Sequence, residues 1–314
     1  MTITMQPSPT DHEPNSPNAL EHRCGTIAIV GRPNVGKSSL LNRLIGQKLA
    51  ITSHRPQTTR HRILGLRTEP DAQLIFLDAP GWQRKQRSAM NRMLNRTAEQ
   101  VIDEADLVLW VIDGSQGLVD EDLQVLSRLD QHPKKIAVLN KIDRVKIQNK
   151  LYLLAQDLSQ RTRFEAIIPV SAERATQIDV LLRVCKEHLP IDAPRFEPDE
   201  FTDRSERFLA AEIIREKLFR LLGDELPYQS TVLIEQFSEE PSLRRIQASI
   251  VVQREAQRAI VLGQGGQGIK RIGTDARRDM ERLFSSKVFL GLHVKVRDDW
   301  ASNELGLAAY GYGQ

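Results

Sequence analysis

The sequence predicts an α/β chain in which a domain with a mainly parallel six-stranded sheet is followed by a smaller α+β domain. Three observations carry that prediction. Up to about residue 190, near-continuous apolar runs of strand length alternate with helix-like stretches, the pattern of a parallel sheet covered on both faces. The first such run, Thr26 to Val30, leads through a glycine-bearing loop straight into a helix. A proline-rich, acidic join at 191–203 then opens a second region that reads α-β-β-α-α-β.

At 314 residues the chain has room for two domains, and a hydrophobic fraction of 40% is enough for two packed cores. No apolar run reaches the length of a membrane span. A net charge of +3 is too small to argue for nucleic acid by itself, so any such case has to rest on a local patch. Cys24 and Cys185 are too few for a disulfide framework and lack metal-ligand spacing, which suits a reducing, cytoplasmic setting. Residues 1–24 are polar and hold four prolines, without the apolar core of a secretory signal or the arginines of a transit peptide. We expect a disordered tail there.

The loop is Gly31-Arg32-Pro33-Asn34-Val35-Gly36-Lys37-Ser38, followed by Ser39. It fits G-x-x-x-x-G-K-[ST], a pattern that should arise by accident in roughly 1% of chains this long. Gly31 and Gly36 let the backbone turn so that a row of N–H groups converges on phosphate oxygens. The helix starting near Lys37 and ending at Gly46 adds the positive end of its dipole. Lys37 is expected to reach the β- and γ-phosphates, and the Ser38 hydroxyl to ligate Mg²⁺.

A long polar connection follows, Thr52 to Arg62, of the kind that is usually functional. Strands are expected at Ile63–Thr68 and Gln73–Leu77 around a Glu69-Pro70-Asp71 turn. The second ends in Asp78-Ala79-Pro80-Gly81. An Asp at the end of a buried strand can hold Mg²⁺ through water, and the Gly81 N–H can meet the γ-phosphate. A helix over Ser88–Glu104, a strand over Asp106–Asp113, a helix over Glu121–Leu129 and a strand over Lys135–Asn140 come next. The last ends in Asn140-Lys141-Ile142-Asp143. The Asp143 carboxylate is suited to accept from guanine N1 and N2, a donor pair that adenine lacks. Asn140 is suited to base N7 and to bracing the phosphate loop, with the Lys141 stem over the ring. A final strand, Ala166–Val170, ends at Ser171-Ala172, where a backbone N–H can face guanine O6.

The ordered set Gly31–Ser38, Thr58/Thr59, Asp78–Gly81, Asn140–Asp143 and Ser171-Ala172 resembles the translation-factor class of P-loop GTPases. The stretch Gln57-Thr58-Thr59-Arg60-His61 and the second domain narrow the resemblance to the Era-type bacterial GTPases, over roughly Thr26 to Trp300. It implies GTP and GDP as ligands, with Mg²⁺ held by Ser38, Asp78 and a switch threonine, for which Thr59 is favoured over Thr58. It implies catalytic roles for Lys37, Thr59, Gly81 and, where K⁺ assists, Asn34. Trp82 stands where many small GTPases carry a water-orienting glutamine, so slow intrinsic hydrolysis is expected. Ala79 replaces the family's usual threonine at no expected cost to binding.

In the second region an amphipathic helix is expected over Arg207–Leu222, capped by Gly223. Strands follow at Thr231–Phe237 and Ile246–Gln253, a short helix at Ala259–Leu262, a longer one at Ile269–Phe284 and a strand at Val288–Val296. This order, with Gly263-Gln264-Gly265-Gly266 between the middle helices, resembles a KH domain of the second type. Such a turn clamps a nucleic-acid backbone while apolar side chains receive unstacked bases. Ile260, Val261, Leu262, Ile269 and Ile272 are candidates for that second role. From Lys270 onward, Lys270, Arg271, Arg277, Arg278, Arg282, Lys287, Lys295 and Arg297 outnumber Asp275, Asp279 and Glu281, which supplies the local basic patch. Gln264 and Gly265 stand where the family is often basic, so the loop itself should add little salt dependence.

The resemblance implies a switch that grips single-stranded small-subunit ribosomal RNA near its 3′ end and acts on the immature 30S particle. A monomer is expected, with peripheral contact at the inner membrane as a further partner. A GTP-gated adaptor without functional hydrolysis is the alternative, and a tRNA-modification role is disfavoured because no modification domain is visible. The stretch 301–314 shows no periodicity and is expected to be flexible.

Overall fold

A computed structural model of the chain describes residues 22–314 except 54, 56, 84–87, 148, 224–225, 299, 301–306, 309, 311 and 313–314. Most of the expected N-terminal tail, 1–21, lies outside the described residues. The first strand, β1, spans Arg23–Val30 and so begins inside the segment expected to be tail. Its N–H at Cys24 bonds to the Pro190 carbonyl, which ties the start of the sheet to its far end.

After β1 come α1 (Lys37–Ile45), β2 (Ile63–Glu69), β3 (Ala72–Asp78), α2 (Ala89–Asp103), β4 (Leu107–Asp113) and α3 (Asp120–Leu129). Then β5 (Lys135–Asn140), α4 (Asn149–Arg161), β6 (Ala166–Pro169) and α5 (Ile178–His188) complete the first sheet and its helices. The strand order is β2-β3-β1-β4-β5-β6, parallel except for the β2–β3 pair. Continuous apolar strands fit this arrangement because alternate side chains enter different cores. Ile27, Ile29, Leu109 and Val111 pack on the side of α1 and α5. Ala28, Val30, Trp110 and Ile112 pack on the side of α2 and α3.

The second domain holds α6 (Glu206–Leu221), β7 (Ser230–Glu240), β8 (Leu243–Val252), α7 (Glu255–Leu262), α8 (Gln267–Leu283) and β9 (Lys287–Val296). Its sheet runs β7-β8-β9, with β8 and β9 parallel, and its core gathers Ile214, Leu218, Ile250, Ile272 and Met280. Helix α7 starts four residues earlier than its apolar run suggested. The α6 cap is Leu222, one residue before the expected Gly223.

The linker, and the described residues of the C-terminal stretch that was expected to be flexible, are docked. The 191–203 join lies along the first sheet. Phe201 accepts from the Leu66 N–H, the Thr202 hydroxyl donates to the Leu64 carbonyl, and Gln73 donates to the Phe196 carbonyl. In the C-terminal stretch, Leu307 and Tyr312 are buried with Trp300 against Met90, Met93 and Leu94 of α2 and Val251 of β8. Contacts so distant in sequence leave no periodic trace, which is why these residues read as flexible.

Candidate functional site

The carboxyl ends of β1, β3 and β5 and the loop after β6 converge on one cavity of about 690 Å³, where ligands bind in open parallel sheets. The loop after β1 is shaped by backbone that only certain residues tolerate. Gly36 has φ 99°, and a Cβ there would meet Asn140 Nδ2 at 2.4 Å. Asn34 also lies in the left-handed region, at φ 65°, and is exposed on the cavity wall. Lys37, 6% exposed, donates to the carbonyls of Gly31 and Arg32, both at 3.0 Å. Burial pushes its pKa down to about 8, with Asp78 opposing.

Ser38, Thr59 and Asp78 meet behind Lys37. The Ser38 hydroxyl donates to Asp78 Oδ2 at 2.7 Å and lies 2.7 Å from the Thr59 hydroxyl. Thr58 is turned away, its hydroxyl donating to the Arg55 carbonyl at 2.7 Å. Burial raises Asp78 to about 6, opposed by Lys37 and the Ser38 hydrogen bond. Asp78 Oδ1 is buried without a hydrogen-bond partner among the described residues. Two hydroxyls and a carboxylate oxygen in need of a partner form a hard oxygen set that fits Mg²⁺.

At the other end of the cavity Asn140 acts as a joint. Its Nδ2 donates to the Val35 carbonyl at 2.9 Å, and its Oδ1 accepts from the N–H groups of Lys141 and Ala172. The Ala172 N–H, one of the two backbone N–H groups at Ser171-Ala172, is thus paired within the protein. Lys141 reaches the Asn34 carbonyl and Asp113 Oδ2, which puts its stem across the cavity. Asp143 lines the wall, and its Oδ1 accepts from the Ser171 hydroxyl at 2.6 Å.

Of the other predicted residues, Pro33, Ser39, Gly81 and Ala172 line the cavity. A Cβ on Gly81 would meet Pro33 at 3.0 Å and Lys37 Nζ at 3.1 Å, so a side chain there would have to push its neighbours back. Gly31, Val35, Asp78, Ala79, Pro80, Ile142 and Ser171 stand outside the lining. Arg32 turns away to Asp122 and Gln116. Trp82 belongs to the core beside α2 and α3, with Arg128 over its ring at 5.2 Å. Gln83, the next residue, donates to the Gly81 carbonyl and accepts from Gln57, so neither side chain is presented to the cavity.

Asp113, Phe219 and Arg220 are among the contributors that the sequence did not flag. Asp113 ends β4 as Asp78 ends β3, a parallel that could have flagged it; it holds Lys141. Phe219 and Arg220 of α6 complete the cavity wall from the second domain. Arg220 donates to the carbonyl and hydroxyl of Thr52, and Glu216 accepts from the Thr52 N–H. Eight residues on, Arg60 is 1% exposed inside the second domain, bonded to the carbonyls of Pro227, Tyr228 and Ser230. The segment that carries Thr59 is therefore held by the second domain at both ends.

The turn between α7 and α8 needs its glycines. Gly263, Gly265 and Gly266 have φ of 68°, 57° and 78°, and a Cβ on Gly268 would meet the Val261 carbonyl at 2.6 Å. Gln264, Lys270 and Arg271 are exposed near it, Arg277 and Arg278 are exposed farther along α8, and Ile269 is half-buried. Of the apolar candidates, Ile260 is 56% exposed, whereas Val261 and Ile272 are fully buried in the core and cannot receive a base. No helix among the described residues is long and apolar enough to cross a membrane.

Two family profiles match the chain: a 50S ribosome-binding GTPase over residues 26–141 and a KH domain over residues 225–301. The chain is 47% identical over 292 residues to the GTPase Era of Pseudomonas fluorescens, covering 93% of this chain and 97% of that one. It is 46% identical over 295 residues to the GTPase Era of Nitrosomonas eutropha, covering 94% and 99%. Among solved structures, a variant of Aquifex aeolicus Era bound to GDP·AlF4⁻ superposes with a TM-score of 0.89 at 35% identity, over 93% of this chain and all of that one. Era in complex with MgGDPNP and nucleotides 1506–1542 of 16S ribosomal RNA superposes with the same score, identity and coverage.

Proposed function

Because the chain belongs to the Era family of GTPases, we propose that it is a nucleotide-gated RNA switch, reading GTP in the first domain and single-stranded ribosomal RNA in the second. The observation that carries this reading is the 52–60 segment. Thr59 stands at Ser38 and Asp78, while Thr52 and Arg60 are bonded to the second domain. A shift of Thr59 toward or away from the nucleotide therefore pulls directly on the partner domain.

In this reading Gly31 to Ser39 cradle the phosphates, with Lys37 on the β- and γ-oxygens, and Asp143 and Asn140 select guanine. Ser38, Thr59 and Asp78 hold Mg²⁺, which when bound neutralises charge on the transferring phosphate. The Gly81 N–H meets the γ-phosphate. With Trp82 in the core and Gln83 engaged elsewhere, no side-chain amide from 82–83 orients the attacking water, so intrinsic turnover is slow. Asn34, which lines the wall, assists in this reading through a monovalent cation.

The RNA is the 3′ end of small-subunit ribosomal RNA, gripped by the Gly263–Gly266 turn with Lys270, Arg271, Arg277 and Arg278 beside it. The setting is maturation of the 30S particle. The experiment measures affinity of the full chain for a 3′-terminal 16S fragment, loaded with GDPNP·Mg²⁺ or with GDP·Mg²⁺. The GDPNP form is expected to bind more tightly, and Arg271→Ala to weaken binding and lower the salt slope by about one unit. Equal affinity in both nucleotide states would remove the gating claim, and an unaffected Arg271→Ala would remove the RNA surface.

A further inference from the structure

We propose that a second cavity, of about 220 Å³ between the domains, is a binding site for a phosphate-class oxyanion. It shares no wall residue with the nucleotide cavity. Its walls come from the segment after Thr59, the start of the second domain, and the C-terminal stretch, and they include Arg60, Arg62, Arg204 and Arg215.

The charges there do not balance. Arg215 is bidentate on Glu212, at 2.8 and 2.6 Å, and that pair is buried. Arg62 is paired with Glu104 at 2.6 Å, and Arg204 Nε lies 3.6 Å from Asp203. Among the described residues, Arg60 has no carboxylate on it. Beyond the three backbone carbonyls already described, it meets the Tyr312 hydroxyl at 3.3 Å and lies over the Phe219 and Tyr312 rings. Among the described residues, Arg60, Arg215 and Glu212 thus leave one positive charge without a carboxylate of its own in a buried cluster, a costly arrangement unless an anion joins it.

Hydrogen bonding points the same way. Arg60 Nε, Arg204 Nε and Arg215 Nη1 are all buried without a hydrogen-bond partner among the described residues. Three unsatisfied guanidinium N–H groups, on side chains that line one cavity, match an acceptor-only ligand with several oxygens, which is what arginine forks recognise in phosphate. The volume admits a phosphate group with a few waters at about 30 Å³ each. It falls below the range of about 300 Å³ and upward that whole small-molecule ligands fill. Inorganic phosphate, released by GTP hydrolysis, is one source of such a group. The terminal phosphate of a nucleotide is another. With walls from both domains, a bound anion would fasten the domains together.

The test uses the full chain loaded with GDPNP·Mg²⁺, so that the phosphate loop is filled, and titrates inorganic phosphate or uridine monophosphate at constant ionic strength by calorimetry. Loading is measured first, which separates failure of the nucleotide reading from failure of this one. One saturable site is expected, weakened about tenfold or more by Arg204→Gln and unchanged by Lys270→Gln. Arg60→Gln is expected to abolish binding. Because that variant can fail to fold, the His61 ring resonances, from a side chain on the same wall, give an independent reading and should move on titration of the unaltered protein. Binding of phosphate itself supports the product as source, and binding of uridine monophosphate alone supports a nucleotide terminus. No saturable binding of either, full binding by Arg204→Gln, or unmoved His61 resonances at saturation would overturn the proposal.

Discussion

The hydroxyl oxygens of Ser38 and Thr59 stand 2.7 Å apart and join the first turn of α1 to the loop before β2. The neighbouring Thr58 spends its hydroxyl on the Arg55 carbonyl. Thr59→Ala is therefore expected to lower Mg²⁺-dependent single-turnover hydrolysis by roughly 10²-fold, the scale for losing one preorganised polar contact to a transition state. Thr58→Ala should cost about 1 kcal/mol of stability and leave the rate near wild type. The opposite ranking would assign the switch role to Thr58.

Asp143 is fixed by the Ser171 hydroxyl and faces the cavity. Asp143→Asn exchanges an acceptor pair for one acceptor and one donor, so preference should move from GTP toward xanthosine triphosphate. Hydrogen bonds to a charged group contribute about 1.5–3 kcal/mol, which sets a loss in GTP affinity of roughly ten- to a hundred-fold. Competition binding with both nucleotides decides it, and retained GTP selectivity refutes the role.

His61 is stacked on Tyr312, 4.7 Å between centroids. Burial pushes its pKa from 6.5 to about 4, with Glu212 opposing and Arg215, Arg204 and Arg60 adding to the fall. The unfolded chain then takes up this proton first, so stability is lost as pH falls from 6.5 and levels off near pH 4. Asp78, raised from 3.8 to about 6, contributes with the opposite sign over its own interval. The measurement is thus a difference: melting temperature of the wild type against His61→Asn between pH 7 and about pH 4. The wild type should lose ground across that interval, and parallel curves would show that His61 titrates normally.

Glu216 is fully buried and accepts from Lys48, Lys217 and Arg220 as well as from Thr52. Lys48 and Lys217 also reach Asp279 of α8, and they hold its carboxyl at about 2 although burial works against this. Glu216→Ala leaves Lys217, 5% exposed, short of a partner and should cost roughly 3 kcal/mol in urea unfolding. Lys48→Met, on a half-exposed side chain, should cost about 1 kcal/mol or less. Equal costs would mean that the two lysines share the burial load evenly.

Asn34 sits exposed at the mouth of the phosphate loop. Hydrolysis is expected to run faster in K⁺ than in Na⁺, and Asn34→Ala to erase the difference. Equal rates in the two salts for the unaltered protein would end the cation reading.

The buried strands β1, β3, β4 and β5 were legible because each is a near-continuous apolar run, and the nucleotide residues because they sit at the ends of those runs. Helix α6 was legible only in outline. Its apolar positions suggested one buried face, yet Glu212, Arg215, Glu216 and Lys217 are buried too, since the first domain and the C-terminal stretch cover its polar side. Arg60 shows the same limit. In sequence it is one cation among several in a polar loop, and only its contacts with residues 227–230 and 312 make it a buried anchor. Tyr312 carries no local pattern at all. Pairing between segments some 250 positions apart is not written in any window of neighbouring residues.

Phe219 and Arg220 have a kinetic corollary. With these two α6 residues on the wall of the cavity, the residence time of a bound nucleotide is expected to depend on the second domain as well as the first. Occupation of the α7–α8 surface would then lengthen or shorten that dwell without touching the nucleotide, and the exchange rate itself would report which cargo is aboard.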